Sequence, residues 1–192
     1  PRPEEGFIRL TTHNYLADNY NESELRKLPN APSTYRADIK GTFPEYAYPT
    51  AETLTLKVGA QVMFIKNDPS ADHLYYNGRI GHVTYLDDST IFVHCPGDRD
   101  AIKVEPQEWE NAKYVLNEET REIESDVQGV FRQFPLRLAW AITIHKSQGL
   151  TFDHAIIDAN ASFASGQVYV ALSRCKSLEG LVLSSPSSTI RV

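Results

Sequence analysis

Two short stretches of this 192-residue chain gather side chains able to do chemistry. The first is Thr143-Ile144-His145-Lys146-Ser147-Gln148-Gly149. It leaves an apolar run abruptly and packs hydroxyl, imidazole, ammonium and amide groups into one turn. Gly149 lets backbone approach a ligand closely. Such a set suits phosphate: Lys as a cation, Ser and Thr as hydroxyl donors, N–H groups at a helix start. A solvated loop with a helix cap would read the same way. The second stretch is Gly166 to Arg174, GQVYVALSR. At helical spacing Val168 and Leu172 form a core stripe, while Gln167, Val170 or Ala171, and Arg174 lie on another face. An Arg after an otherwise uncharged helix is placed to project a fixed guanidinium into a neighbouring site. The plain alternative is a surface Arg near a helix C-terminus, where the helix dipole favours a cation.

Other chemistries have less behind them. His145, Ser147 and Asp153 could be taken for a hydrolase triad, but there is no G-x-S-x-G elbow. The six His and two Cys show no metal-ligand spacing. No G-x-x-x-x-G-K-[ST] occurs, and no Gly is followed by Lys, so the sequence carries no P-loop of its own.

The elements that must position these stretches change character along the chain. Phe7–Thr12 reads as a short strand. Asn14 is the expected N-cap of a helix running to Leu28, with Leu16, Tyr20 and Leu28 at helical spacing. Pro29 and Pro32 end it. An extended run spans Tyr35–Phe43, followed by a Pro-containing connector. The middle reads as all-β: Leu54–Asn67 with a break at Gly59, an Asn77-Gly78 turn, a hairpin over Arg79–Cys95, and further short strands to Phe131. Leu136–Ile144 alternates with period two and is apolar on both faces, as in one strand buried within an α/β sheet. His154–Ala159 and Gly180–Ser184 read as strands flanking the 166–174 helix. The expected fold is α/β. A mostly parallel sheet is built from both ends of the chain and interrupted by an all-β insert. In an open sheet of that kind ligands bind beyond the carboxyl ends of the strands, where both polar stretches fall.

The net charge of −6 hides an uneven distribution: −1 over residues 1–62, −8 over 63–127 and +3 over 128–192. A basic last third can still meet a polyanion, because binding follows local potential. No apolar run is long enough for a membrane helix and no signal peptide is apparent. Two cysteines fit a reducing cytoplasm. The chain starts at Pro1 and reads as a piece of a longer protein.

At the two polar stretches the sequence resembles a known family. LAWAITIHKSQGLTFD is similar to helicase motif V of the RecD/Pif group of superfamily 1B, and GQVYVALSRC resembles motif VI. LTTHNYLADNYN resembles motif IV, at the start of the second RecA-like domain. LTLKVGAQVMFIKND and YYNGRIGHV look like the family's entry into a small SH3-like barrel. The resemblance covers nearly the whole chain in the family's order.

It implies a discontinuous RecA-like domain of the P-loop NTPase type over residues 1–55 and 131–192, called 2A. An SH3-like insert, called 2B, takes residues 56–130. It implies the C-terminal part of an ATP-dependent, 5′-to-3′ DNA helicase. Single-stranded DNA would meet Asn14, Thr143, His145, Lys146 and Ser147. The nucleotide would face Gln148, Gly149, Thr151 and Tyr169, with Arg174 as the arginine finger. Many relatives carry Glu where Thr151 stands here. ATP and Mg²⁺ would be used by the complete protein, whose P-loop, Mg²⁺ ligands and first RecA-like domain would precede this sequence. Such a chain is expected to be inactive alone. The other class to weigh is a non-enzymatic DNA- or protein-binding module reusing the same fold.

Overall fold

The computed structural model describes residues 6–116, 121–157 and 167–183. In chain order the elements are strand β1 (Ile8–Thr11), helix α1 (Asn14–Lys27), β2 (Ser33–Arg36), β3 (Asp38–Gly41), β4 (Thr53–Leu56) and β5 (Gln61–Phe64). Then come β6 (Ile80–Leu86), β7 (Ile91–His94), β8 (Ile102–Val104), β9 (Gln107–Leu116) and β10 (Ile123–Gln133). The last third holds β11 (Leu136–Leu138), β12 (Ala141–Thr143), β13 (Ala155–Ile157), α2 (Gln167–Leu172) and β14 (Leu181–Leu183).

Both ends of the chain build one parallel sheet, in the order β12-β1-β13-β14. The middle is antiparallel throughout: β11-β5-β6-β7-β8 in one sheet, β3-β10-β9 in a second, β2-β4 in a third. The architecture is therefore mixed α/β, with the parallel sheet assembled from segments far apart in sequence.

Two hydrophobic cores result, and β5 lies between them. All four of its residues are buried. Its side chains alternate, as a pleated strand requires: Val62 and Phe64 pack with Leu54, Val83, Ile91, Val93 and Leu136, whereas Met63 packs with Ile8, Leu10, Ile142 and Ile157. A strand flanked by two cores needs apolar residues on both faces, hence the unbroken VMF.

The junction is closed by buried amides. Gln61 is 3% exposed. Its Nε2 donates to the carbonyls of Phe7 (2.8 Å) and Ala139 (2.7 Å), and its Oε1 accepts from Gly6 N–H (3.3 Å). One side chain thereby ties the start of β1 and the β11–β12 crossing to β5. Gln133 acts likewise, donating to Tyr35 O and accepting from Phe134 N–H. A buried amide without such partners would carry a large desolvation penalty.

Several expectations are corrected. Leu136–Ile144 is two strands in two sheets. Leu136 and Leu138 of β11 and Trp140 turn to the core of the antiparallel sheets, while Ile142 and Ile144 turn to the core of the parallel sheet. The kink falls at Ala139–Trp140, where Gln61 captures the Ala139 carbonyl. Tyr35–Phe43 is likewise two strands with different partners. Of the short strands expected up to Phe131, Ala101–Pro106 holds β8, whereas Ala112–Phe131 belongs to two long antiparallel strands, β9 and β10. Asn14 is the first helical residue and His13 the N-cap, without a side-chain cap bond. The buried face of α1 is Ala17 and Asn21, with Leu16 39% exposed. A helix lying close on a strand favours the smaller residue. The second helix spans Gln167–Leu172, and among its described side chains Ala171 is fully buried. Gly166 and the 158–159 end of the expected His154–Ala159 strand lie outside the described residues, as does Ser184.

Candidate functional site

β12 delivers the first polar stretch at its carboxyl end. The Arg174 end of the second packs on Phe152, which precedes β13, so it lies toward the amino ends of the parallel strands. The expectation that both stretches sit at carboxyl ends is corrected. β12 is an edge strand whose pairing with β1 is extended by Ile144 N–H donating to Thr11 O (2.9 Å). The chain then turns tightly. Lys146 N–H donates to Thr143 Oγ1 (3.2 Å), Ser147 N–H to Thr143 O (3.0 Å), and Ser147 Oγ to Ile144 O (2.7 Å). Gly149 completes the turn at φ +78°, a conformation that suits a residue without Cβ.

Inward and outward side chains follow from these bonds. Ser147 is fully buried and Thr143 is 3% exposed, so both hydroxyls shape the turn. His145, Lys146, Gln148, Gly149 and Thr151 are exposed. The hydrolase triad is excluded by the same geometry: Ser147 Oγ is engaged by Ile144 O, and Asp153 pairs with Lys176 at 2.9 Å.

Three of the expected nucleic-acid residues converge. Asn14, Thr143 and Lys146 line one cleft of about 510 Å³ between α1, the 48–55 segment and β11–β12. Arg137 and Asp18 line it too. Although solvent reaches much of the Lys146 side chain, burial pushes its pKa below the ordinary 10.5. The nearby Arg137 guanidinium adds to that, and Asp18 opposes it. Burial lowers the Arg137 pKa as well, again opposed by Asp18. His145 and Ser147 do not line the cleft.

The residues expected to face a nucleotide lie away from this cleft. Arg174 sits in the turn after α2, half-buried. Its Nε donates to Val170 O (3.2 Å), one Nη to Leu150 O (3.5 Å) and the other to Ser173 Oγ (3.0 Å). Among the described residues no carboxylate lies within ion-pair distance of it. Its backbone carbonyl accepts from Phe152 N–H (2.7 Å), and Cys175 forms a parallel bridge to Phe152. These bonds fix the Arg174 turn beside the Gln148–Thr151 turn. Tyr169 is 70% exposed on α2. Gln148, Gly149, Thr151, Tyr169 and Arg174 do not line the cleft. Of the ten sequence candidates, Asn14, Thr143 and Lys146 line the cleft from its two sides, while His145, Ser147, Gln148, Gly149, Thr151, Tyr169 and Arg174 lie outside it.

Comparison with known proteins interprets this arrangement. The UvrD-like helicase C-terminal domain matches residues 138–182, the segment holding both turns. The ATP-dependent DNA helicase Pif1 of Psychrobacter sp. is 34% identical over 91% of this chain, which spans 33% of that protein. Pif1 from Bacteroides sp. in complex with ADP-AlF4 matches at 43% identity with a TM-score of 0.85, over 95% of this chain and 41% of that one. The chain belongs to the Pif1-type helicases of superfamily 1B. Bacteroides Pif1 bound to ssDNA matches at the same 43% identity with a TM-score of 0.73, over 96% of this chain and 42% of that one. The Pif1-type chain described here thus spans a third to two-fifths of these relatives.

Within the Pif1-type frame, the sequence stretches contributed Lys146 and Arg174, but the cleft has charged walls that they did not include. Arg137 is the one charged side chain in the apolar run Leu136–Ile144, a signal visible in the sequence. Asp18 had no such signal, because its place on α1 follows from the unexpected burial of Ala17 and Asn21.

Proposed function

We propose that the protein containing this chain is an ATP-dependent DNA helicase that moves 5′ to 3′ on single-stranded DNA. This chain supplies its arginine finger and one side of the DNA channel. Residues 1–55 and 131–192 act as the second RecA-like domain, and residues 56–130 as an SH3-like insert. The parallel β12-β1-β13-β14 order supports the first assignment, and the antiparallel β11-β5-β6-β7-β8 sheet the second. ATP and Mg²⁺ are the cofactors of the complete protein. Its P-loop, Mg²⁺ ligands and first RecA-like domain are assigned in cis to sequence beyond these residues, and its compartment to the cytoplasm.

The observation that carries the reading is the state of Arg174: a guanidinium held by neutral oxygens, beside an exposed turn, with no carboxylate partner among the described residues. Its planar donors match phosphate oxygens. Arg174 then stabilises the charge that develops on a transferring phosphoryl group, the part an arginine finger takes in phosphoryl transfer. Gln148, Gly149, Thr151 and Tyr169 form the nearby surface toward the nucleotide. Lys146 binds a DNA phosphate, with Asn14, Thr143, His145 and Ser147 contributing side chains or the turn geometry that presents it.

The test is strand displacement by the complete protein on a duplex with either a 5′ or a 3′ single-stranded tail. ATP-dependent displacement from the 5′ tail is expected. Displacement from the 3′ tail alone overturns the direction, and none from either tail overturns the activity.

A further inference from the structure

We infer that Arg137 is a second phosphate ligand of the DNA, so that one backbone phosphodiester sits in the α1 cleft between Arg137 and Lys146. The inference rests on the reading that the protein grips single-stranded DNA, and it adds a residue outside motifs IV, V and VI.

Arg137 belongs to β11, whose neighbour Leu136 is fully buried. Its own side chain enters the cleft wall that it shares with Thr143 and Lys146. One Nη donates to Pro49 O at 2.7 Å. Its Nε is buried and has no partner among the described residues. A guanidinium has five N–H donors in a fixed fork, so this tether leaves donors for a ligand. Charge points the same way. Among the described residues neither Arg137 nor Lys146 makes an ion pair, and each is desolvated. Two desolvated cations on one wall repel each other. A phosphodiester between them relieves that repulsion and meets Arg in the planar geometry it favours for phosphate.

The opposite wall sets a limit. Asp18 and Glu22 of α1 line the same cleft, so its potential is not uniformly positive. Room for one phosphate between the two cations follows, not a broad basic track. Asp18 then works against DNA, which fixes the sign of a substitution there. A nucleotide phosphate is the other source of the same chemistry. Because Gln148, Gly149, Thr151, Tyr169 and Arg174 lie off this cleft, DNA is the occupant.

The experiment uses the complete protein and a fluorescent oligo(dA), with anisotropy read across a salt series. Arg137→Gln should weaken binding and reduce the slope of log K against log salt by up to about 0.7, the amount for one phosphate on a single strand, because Lys146 still meets the same phosphate. Asp18→Asn, on an exposed helix position, should strengthen binding. Arg137→Lys should keep the wild-type slope. ADP affinity should be unchanged in Arg137→Gln. A methylphosphonate at the contacted linkage should weaken wild type more than Arg137→Gln, in which Lys146 alone still meets that phosphate. The inference is overturned if Arg137→Gln keeps the wild-type slope and loses only thermal stability, which would leave Arg137 as the Pro49 tether. Unaltered affinity in Asp18→Asn overturns it as well, and so does weakened ADP binding in Arg137→Gln. Failure of the wild-type protein to bind oligo(dA) at all is a different result: it removes the underlying DNA reading.

Discussion

Asn21 and Ala141 exchange two hydrogen bonds: the Asn21 amide donates to Ala141 O at 2.9 Å and accepts from Ala141 N–H at 2.8 Å. β12 is the edge of the parallel sheet, with β1 on its other side. The side chain of a helix residue therefore does what a further strand would do, and satisfies the edge backbone one residue pair before the Thr143 turn. Unpaired edge groups would otherwise be buried under α1 without a partner. Asn21→Ala should destabilise the protein by about 1–3 kcal/mol, the range for stranding buried polar groups. Asn21→Asp should be at least as harmful, because its carboxylate faces the Ala141 carbonyl. Asn19→Ala, on the exposed side of the same helix, should fall within about 0.5 kcal/mol of wild type. Urea unfolding of the three variants measures this, and a neutral Asn21→Ala would remove the edge-capping account.

The division of the chain into a parallel and an antiparallel part was legible in the sequence, because period-two strands with turn signals differ from short apolar runs alternating with helices. The position of the first polar turn was also legible: the apolar run gives way to Thr-Ile-His-Lys-Ser-Gln-Gly where β12 ends. The side chains within that turn were not. Ser147 and Lys146 are adjacent polar residues, yet Ser147 is fully buried while Lys146 is exposed. Which hydroxyls the backbone captures depends on φ and ψ, and composition does not carry those. The split of Leu136–Ile144 was hidden for a related reason. Alternation marks faces, but it cannot say that the partner on a face changes at Ala139. That information resides in Gln61, 78 residues away along the chain.

Gly78 couples the antiparallel sheet to the arginine turn. It has φ +98°, donates to Phe64 O at 2.8 Å, and a Cβ placed on it would lie 3.2 Å from Leu150 Cδ2. Leu150 in turn offers its carbonyl to Arg174. Gly78→Ala should therefore cost about 1–2 kcal/mol from the left-handed backbone. Pressure on Leu150 should also lower kcat for ATP in the complete protein, with ssDNA affinity unchanged. A stability loss with full turnover would show that Leu150 does not position Arg174.

Arg174→Ala should reduce DNA-stimulated ATP turnover by about 10³–10⁵, the range for loss of an arginine finger. Arg174→Lys should be nearly as damaging. A point charge on a flexible stem cannot reproduce three donors aimed by Val170 O, Leu150 O and Ser173 Oγ. DNA affinity without nucleotide should hardly change, because Arg174 is off the cleft. Steady-state ATPase at saturating single-stranded DNA, beside anisotropy without nucleotide, reads both quantities. Retained turnover in Arg174→Ala, or a loss of DNA affinity instead, would return Arg174 to an ordinary helix-end residue.

Lys146 should give DNA binding a pH dependence of definite sign. In the free protein its pKa is below the ordinary 10.5, first through burial and then through Arg137, against an opposing Asp18. A phosphate beside it favours the charged form and raises the pKa on binding. The complex therefore holds more protons than the free protein as pH climbs toward that value. By linkage, affinity is fully present below the free-state pKa and declines as pH rises through it. The same depression acts oppositely on folding. A lysine with a lowered folded pKa binds fewer protons folded than unfolded, so stability gains slightly over the same alkaline range. Binding and stability should thus move in opposite directions as pH rises, which separates a site effect from alkaline unfolding. Oligo(dA) is the probe, since its bases do not titrate there, and Lys146→Met is the control, with weaker affinity and a flatter profile. Parallel profiles for wild type and Lys146→Met would take Lys146 out of the DNA site, whatever the salt series had shown.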